Sequence, residues 1–154
     1  MIVLTRVDHR LLHGQVAFSW TSHLSANCIL LANDKIAQDE TQKAITKLAK
    51  PSGVKLVIKT VADSIKALNS GVTDKYKLFI VVASVDDAYQ LVKQVPQIKS
   101  LNLGGTKAGE NKKSLSAAIF VTADEEAKLK ELSDAGIEIY CQQVPTEKKK
   151  ELFK

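Results

Sequence analysis

MIVLTRVDHRLLHGQV, residues 1–16, changes character twice within one short stretch. Met1, Ile2, Val3 and Leu4 form an apolar run that reads as a buried strand. The run gives way to a charged cluster of Arg6, Asp8, His9 and Arg10. His13 and Gly14 then stand immediately before QVAFSW (15–20), where a helical pattern opens. A strand, a short polar loop and a helix start together make an anion site, because the first N–H groups of a helix have no partner within it and its dipole favours negative charge. An imidazole on that loop, with two guanidinium groups nearby, points to phosphate chemistry.

The remaining chain repeats the strand-to-helix step. A helix is expected over 14–24 and a strand over 28–32, ending in the turn and cap residues Asn33 and Asp34. Apolar positions Ile36, Ala37, Ala44, Ile45, Leu48 and Ala49 predict one helix that Pro51, Ser52 and Gly53 stop. Strand 54–58 leads to a helix capped by Thr60 and ended by Gly71. Strand 78–82 leads to a helix capped by Ser84 and closed by Pro96. A short strand at 101–103 runs into Gly104 and Gly105, where the backbone can turn or approach something closely. The polar stretch to Ser116 reads as an exposed loop and 118–121 as a strand. Thr122 to Glu125 is a capping-box pattern for a helix through Leu132. The last strand is 137–140, and Pro145 suits the first turn of a terminal helix. Strands alternating with helices argue for an α/β domain with three α/β/α layers and a mostly parallel central sheet.

In such sheets ligands sit outside the carboxyl ends of the strands. The loops expected there carry Asp8 to Gly14, Asn33, Ser84, and Gly104 with Gly105. Asn33 and Ser84 also read simply as helix caps.

Composition narrows the function classes. At 154 residues the chain is expected to be a single domain over 1–154, with 45% hydrophobic and 25% charged residues. The net charge of +5 comes mainly from scattered lysines, and aromatic residues are only 5%, which argues against a nucleic-acid surface. The two cysteines, Cys28 and Cys141, sit in or beside apolar runs and read as small buried hydrophobes. No CxxC spacing exists, and His9, His13 and His23 lack convincing ligand spacing, so neither a metal nor a cofactor is expected. With no signal peptide and no apolar run near membrane-spanning length, the expected location is the cytoplasm.

Acyl transfer would need an exposed nucleophile in an elbow motif, and none is present. Phosphoryl transfer through His13 itself fits best: a neutral imidazole nitrogen is a good nucleophile, and helix N–H groups with guanidinium donors would stabilise the transferring phosphate. The same residues also read as an ordinary helix start beside a solvated charged edge.

RVDHRLLHGQV (6–16) closely resembles the signature of the IIB components of the mannose/fructose/sorbose class of the bacterial phosphotransferase system. The resemblance continues through LANDKIAQDE (31–40), SLNLGGTKAGENKKSLS (100–116) and CQQVPTEKK (141–149), and so covers essentially the whole chain. It implies that His13 is the transiently phosphorylated residue, on Nδ1. A phosphorylated IIA component would donate the phosphoryl group. His13 would pass it to a sugar of the mannose, fructose, sorbose or amino-sugar class held by the IIC and IID membrane components. Arg10 would hold the phosphate, Arg6, Gly14 and Gln15 would assist, and Asp8 would support the loop. The protein would work in the cytoplasm, peripherally attached to the permease, as a free-standing subunit, with a homodimer left open. His9 departs from the family pattern, which often carries an acidic or small polar residue there. The competing reading is a non-catalytic regulator that uses the same pocket for a phosphorylated ligand.

Overall fold

The computed structural model describes residues 1–154. In chain order the elements are β1 (Ile2–Asp8), α1 (Gly14–Leu24), β2 (Cys28–Ala32), α2 (Asp34–Ala37), α3 (Glu40–Leu48), β3 (Lys55–Lys59), α4 (Val61–Ser70) and β4 (Leu78–Val82). There follow α5 (Val85–Gln94), β5 (Ser100–Gly105), β6 (Lys113–Ser116), β7 (Ile119–Val121), α6 (Ala123–Asp134), β8 (Glu138–Cys141) and β9 (Lys150–Glu151). A seven-stranded sheet runs in the order β3-β2-β4-β1-β5-β8-β9, parallel throughout except for β9, which is antiparallel to β8. Every residue of β2 and β4 is buried, because strands covered on both faces have no reason to alternate.

Steps β1→β2 and β2→β3 travel one way across the sheet; β3→β4, β4→β5 and β5→β8 travel the other way. Right-handed crossovers therefore put α1 and α3 on one face and α4, α5 and α6 on the other. The buried clusters agree. On one face Leu30, Ile80 and Val7 lie under Leu68 of α4, Leu91 of α5 and Leu129 of α6. On the opposite face Ile29, Leu31 and Phe79 lie under Ala17 and Trp20 of α1. Chain connections leave β1 and β5 in opposite directions, so a crevice opens at their carboxyl ends. The three-layer α/β architecture expected from the sequence is the one observed.

Three local expectations differ. The single helix expected after Asn33 is two helices: Asn33 caps α2 by accepting from the Ile36 N–H at 2.9 Å, and Asp39 starts α3 by accepting from the Gln42 N–H at 3.0 Å. The polar stretch before Ser116 is not all loop, since β6 pairs antiparallel with β7. Pro145 opens no helix. Gln142 Nε2 donates to the Glu147 carbonyl at 2.7 Å, the Leu152 N–H donates to the Ile139 carbonyl at 2.9 Å, and the segment closes the sheet as β9. An open strand edge at β8 takes main-chain partners that a helix would have kept for itself.

Candidate functional site

β1 ends in Asp8, and the site is built on its carboxylate. Oδ1 accepts from the Arg10 N–H at 3.0 Å and from Arg10 Nε at 3.2 Å. Oδ2 accepts from Arg6 Nη2 at 3.3 Å and faces His13 Nε2 at 3.2 Å. Asp8 itself is only 1% exposed. Burial alone would raise its pKa; the Arg10 N–H and guanidinium, the Arg6 charge and the His13 ring outweigh that and hold it below the ordinary carboxylate value. An ionised carboxylate only accepts, so the hydrogen in the His13 contact sits on Nε2. Whenever the ring is neutral its lone pair is then on Nδ1, which makes no hydrogen bond.

Arg6 was expected on the phosphate side; the structure puts it beneath the site, 2% exposed. Its Nη1 donates to Asn102 Oδ1 at 2.6 Å and to the Gln142 carbonyl at 2.9 Å, and its Nη2 donates to the Gln143 carbonyl at 2.9 Å as well as to Asp8. Trp20 covers the guanidinium, 5.2 Å from ring centroid to Cζ, and donates its own N–H to the Gln143 carbonyl at 2.9 Å. Such a desolvated cation–π contact is worth about 1–2 kcal/mol. Burial lowers the Arg6 pKa and the Asp8 charge opposes that fall. With these donors committed, Arg6 reaches the site only through Asp8. Arg10, by contrast, has a half-exposed side chain that rests on Asp8 through Nε and leaves donor hydrogens facing solvent.

The glycines explain how two guanidinium groups fit here. A Cβ on Gly104 would collide with the Arg6 guanidinium, and one on Gly105 would stand 3.6 Å from Arg10 Nη2 and 3.7 Å from Asp8 Oδ1. Close approach requires the glycine at 104, whereas a Cβ at 105 would make ordinary van der Waals contact. The loop itself is tight: the His9 N–H donates to the Gly105 carbonyl, the Leu11 N–H to the Asp8 carbonyl, and Leu11 takes a left-handed φ of 58°. That conformation is costly for a leucine and persists because its surroundings impose it.

His13 is the N-cap residue of α1, with extended backbone and no side-chain cap bond; no acidic side chain stands in the first helical turn. The first helical bond runs from the Ala17 N–H to the His13 carbonyl. The N–H groups of Gly14, Gln15 and Val16 are thus free beside the imidazole. Gly14 and Gln15 are exposed, and Gln15 makes no side-chain hydrogen bond.

Asn33 and Ser84 serve as caps: Ser84 Oγ accepts from the Asp87 N–H at 3.1 Å. Asn33 also lines an open cleft of about 580 Å³ that runs from His9 and Arg10 to Lys35 and Gln42. His9 Nδ1 is buried there without a partner. Both cysteines are buried, and burial pushes the Cys28 thiol up and the Cys141 thiol up to about 11, so neither is a ready nucleophile. Asn102, Trp20, Gln142 and Gln143 escaped the sequence reading. One signal was available: Asn102 stands between Leu101 and Leu103 in a strand-like run, and a polar side chain buried there needs a partner.

Residues 2–154 match the family model described as the sorbose-subfamily IIB component of the phosphotransferase system. A probable phosphotransferase enzyme IIB component of Streptococcus pyogenes is 35% identical over 155 residues, spanning 97% of this chain and 95% of the relative. The N-acetylgalactosamine-specific IIB component 2 of Escherichia coli is 32% identical over 153 residues, spanning 99% and 97%. Among solved structures, the IIB domain of the sorbose permease from Klebsiella pneumoniae superposes with a TM-score of 0.92 at 26% identity, covering 99% of this chain and 93% of that one.

Proposed function

The chain belongs to the sorbose-subfamily IIB components of the phosphotransferase system, and from that membership we propose that it carries a phosphoryl group on His13 Nδ1. The donor is a phosphorylated IIA component. The acceptor is a sugar of the mannose, fructose, sorbose or amino-sugar class, presented by IIC and IID membrane components to which this chain attaches peripherally. The observation that carries the reading is the contact of His13 Nε2 with Asp8 at 3.2 Å, because it commits one ring nitrogen and frees the other.

The step balances without a cofactor. The Nδ1 lone pair attacks phosphorus in the donor phosphohistidine. A P–N bond forms as the donor P–N bond breaks, and that electron pair returns to the donor ring. His13 becomes a phosphorylated imidazolium whose Nε2–H remains on Asp8, so the new ring charge meets a carboxylate already in place. The free N–H groups of α1 and the outer hydrogens of Arg10 donate to the equatorial oxygens. In the second step a sugar hydroxyl attacks phosphorus, the His13 P–N bond breaks, and the hydroxyl proton leaves to a base on the membrane partner. Docking that aligns the two imidazoles supplies much of the rate.

No helix is long and apolar enough to cross a membrane. The buried, high-pKa thiols favour nitrogen over sulfur as the carrier.

The test is transfer from a phosphorylated IIA partner, read by mass before and after brief acid treatment. The proposal expects one acid-labile, base-stable phosphate on His13, absent in His13→Ala. Label that persists in that variant overturns the assignment. Phosphate binding without covalent transfer from any cognate IIA would point to a regulator instead.

A further inference from the structure

The sheet ends on one side in the two-residue β9 and on the other in the five-residue β3, which pairs with β2 and nothing else. The Lys55 N–H donates to the Asn27 carbonyl, and the Lys59 carbonyl accepts from the Asn33 N–H, both toward β2. Strand alternation therefore turns the N–H and C=O groups of Leu56 and Ile58 outward. Lys55, Val57 and Lys59 share one face. That face opens on a concavity of about 260 Å³ between the sheet, α4 and the turn at 72–76.

Leu30, Val57 and Leu78 form the floor of the concavity, and Val72, 59% exposed, stands on its wall. Lys55, Lys59 and Lys75 line its margin. Lys55 Nζ donates to the Tyr76 hydroxyl at 3.0 Å, and Lys55 and Lys75 each stand 5.2 Å from the Tyr76 ring centroid. None of these three lysines enters a salt bridge, although lysines elsewhere on the surface do.

Edge lysines by themselves are a guard against self-pairing. They serve that purpose here: two copies joined antiparallel about Val57 would set Lys55 against Lys59 twice. A guard needs no apolar concavity at its centre, however. The combination of free main-chain groups, a central pocket and a cation two residues to either side is what an added strand requires.

We propose that β3 is a docking edge for an extended segment of a partner protein with the pattern acidic–x–apolar–x–acidic. Its main chain pairs with Leu56 and Ile58. Its apolar side chain enters the concavity over Val57, and its two carboxylates meet Lys55 and Lys59. The pattern reads the same in both directions, so it fits a parallel or an antiparallel partner. β3 lies three strands from β1, about 14 Å across the sheet. A partner held there leaves His13 uncovered and stays attached while phosphate moves.

The test uses the full chain labelled with nitrogen-15 and the capped peptide acetyl-TETLTET-amide. Saturable shifts are expected at the Leu56 and Ile58 amides, with slowed exchange there and little change from His13 to Val16. The peptide TKTLTKT should produce none. In the double variant Lys55→Glu, Lys59→Glu the acidic peptide should bind about tenfold or more weakly, and the lysine peptide should now bind. Equal binding of both peptides to wild type, shifts centred on Arg10, or no shift at Leu56 and Ile58 up to millimolar peptide would each overturn the proposal. So would adsorption of the protein to anionic lipid vesicles, lost in the double variant, while the peptide does nothing.

Discussion

Gly104→Ala tests the buried arrangement beneath the site more sharply than removal of any charged group. Gly104 is not in the left-handed region, so its backbone accepts alanine without strain. The nearest atoms the added Cβ meets are all of the Arg6 guanidinium, which cannot retreat. It is fixed by Asn102 Oδ1 at 2.6 Å, the Gln142 and Gln143 carbonyls at 2.9 Å each and Asp8 at 3.3 Å, with Trp20 across its face. Making room means breaking a buried ion pair and stranding carbonyl groups, which costs about 3–5 kcal/mol. For a chain of this size that is a fall in Tm of roughly 6–20 °C. Urea unfolding of four proteins gives the answer: wild type, Gly104→Ala, Arg6→Ala and the double variant. If the Cβ acts only through the guanidinium, Gly104→Ala should cost less than about 0.5 kcal/mol once Arg6 is alanine. Additive costs would show that the glycine is needed for some other reason, and the account of Arg6 as a clamped support would fail.

Asp8→Asn should reduce phosphate acceptance while its stability effect depends on pH in one direction. The folded carboxyl lies below its ordinary value of 3.8, so its contribution is complete above about pH 4 and is lost as pH falls through the lowered folded value. The stability gap between wild type and Asp8→Asn should therefore shrink as pH falls below about 4; a gap that widens there contradicts the lowered carboxyl. Replacing Cys28 and Cys141 together by alanine should leave acid-labile labelling complete, and loss of label in a folded double variant would move the carrier to sulfur. Ser25 ends α1 with a left-handed φ of 53° and makes no side-chain hydrogen bond, so Ser25→Gly should stabilise by about 1 kcal/mol in thermal unfolding; an unchanged Tm would mean the helix end imposes no strain.

What the sequence made legible follows from how local each signal is. Strand β4 is five consecutive buried residues, and the Thr122–Glu125 capping box forms as written, because periodicity and caps are short-range matters. His13 and Gly14 at the start of α1 were readable for the same reason. Arg6 was misplaced because its partners other than Asp8 lie 96 to 137 residues away, on β5 and just beyond β8, and nothing in RVDHR says which way the side chain turns. Pro145 failed for a different reason: its flanks suit a helix, yet β8, just before it in the chain, has an open edge that takes Lys150 and Glu151 as β9, and which strand ends the sheet depends on the whole strand order.

The buried charges also bear on how an exposed imidazole keeps its aim. A buried ion pair such as Arg6 with Asp8 is a weak source of net stability, since the attraction is largely spent on desolvation. Its value here is geometric. Arg6 bonds to β5 through Asn102 and to the two carbonyls that follow β8, so the carboxyl ends of three strands are tied to one guanidinium. Asp8 is fixed by that guanidinium from beneath and by the Arg10 N–H from the loop, and it fixes His13 in turn. An apolar replacement of similar volume would pack as well but leave Asp8 held only from the loop side, by Arg10. The imidazole would then sample orientations in which neither ring nitrogen faces the free N–H groups of α1. Arg6→Met therefore separates the two roles. Stability should fall less than in Arg6→Ala, because volume is kept, while transfer from phosphorylated IIA should slow by at least about tenfold, the cost of a misaimed nucleophile. Transfer at the wild-type rate in a folded Arg6→Met protein would mean that Asp8 and the loop hold His13 on their own.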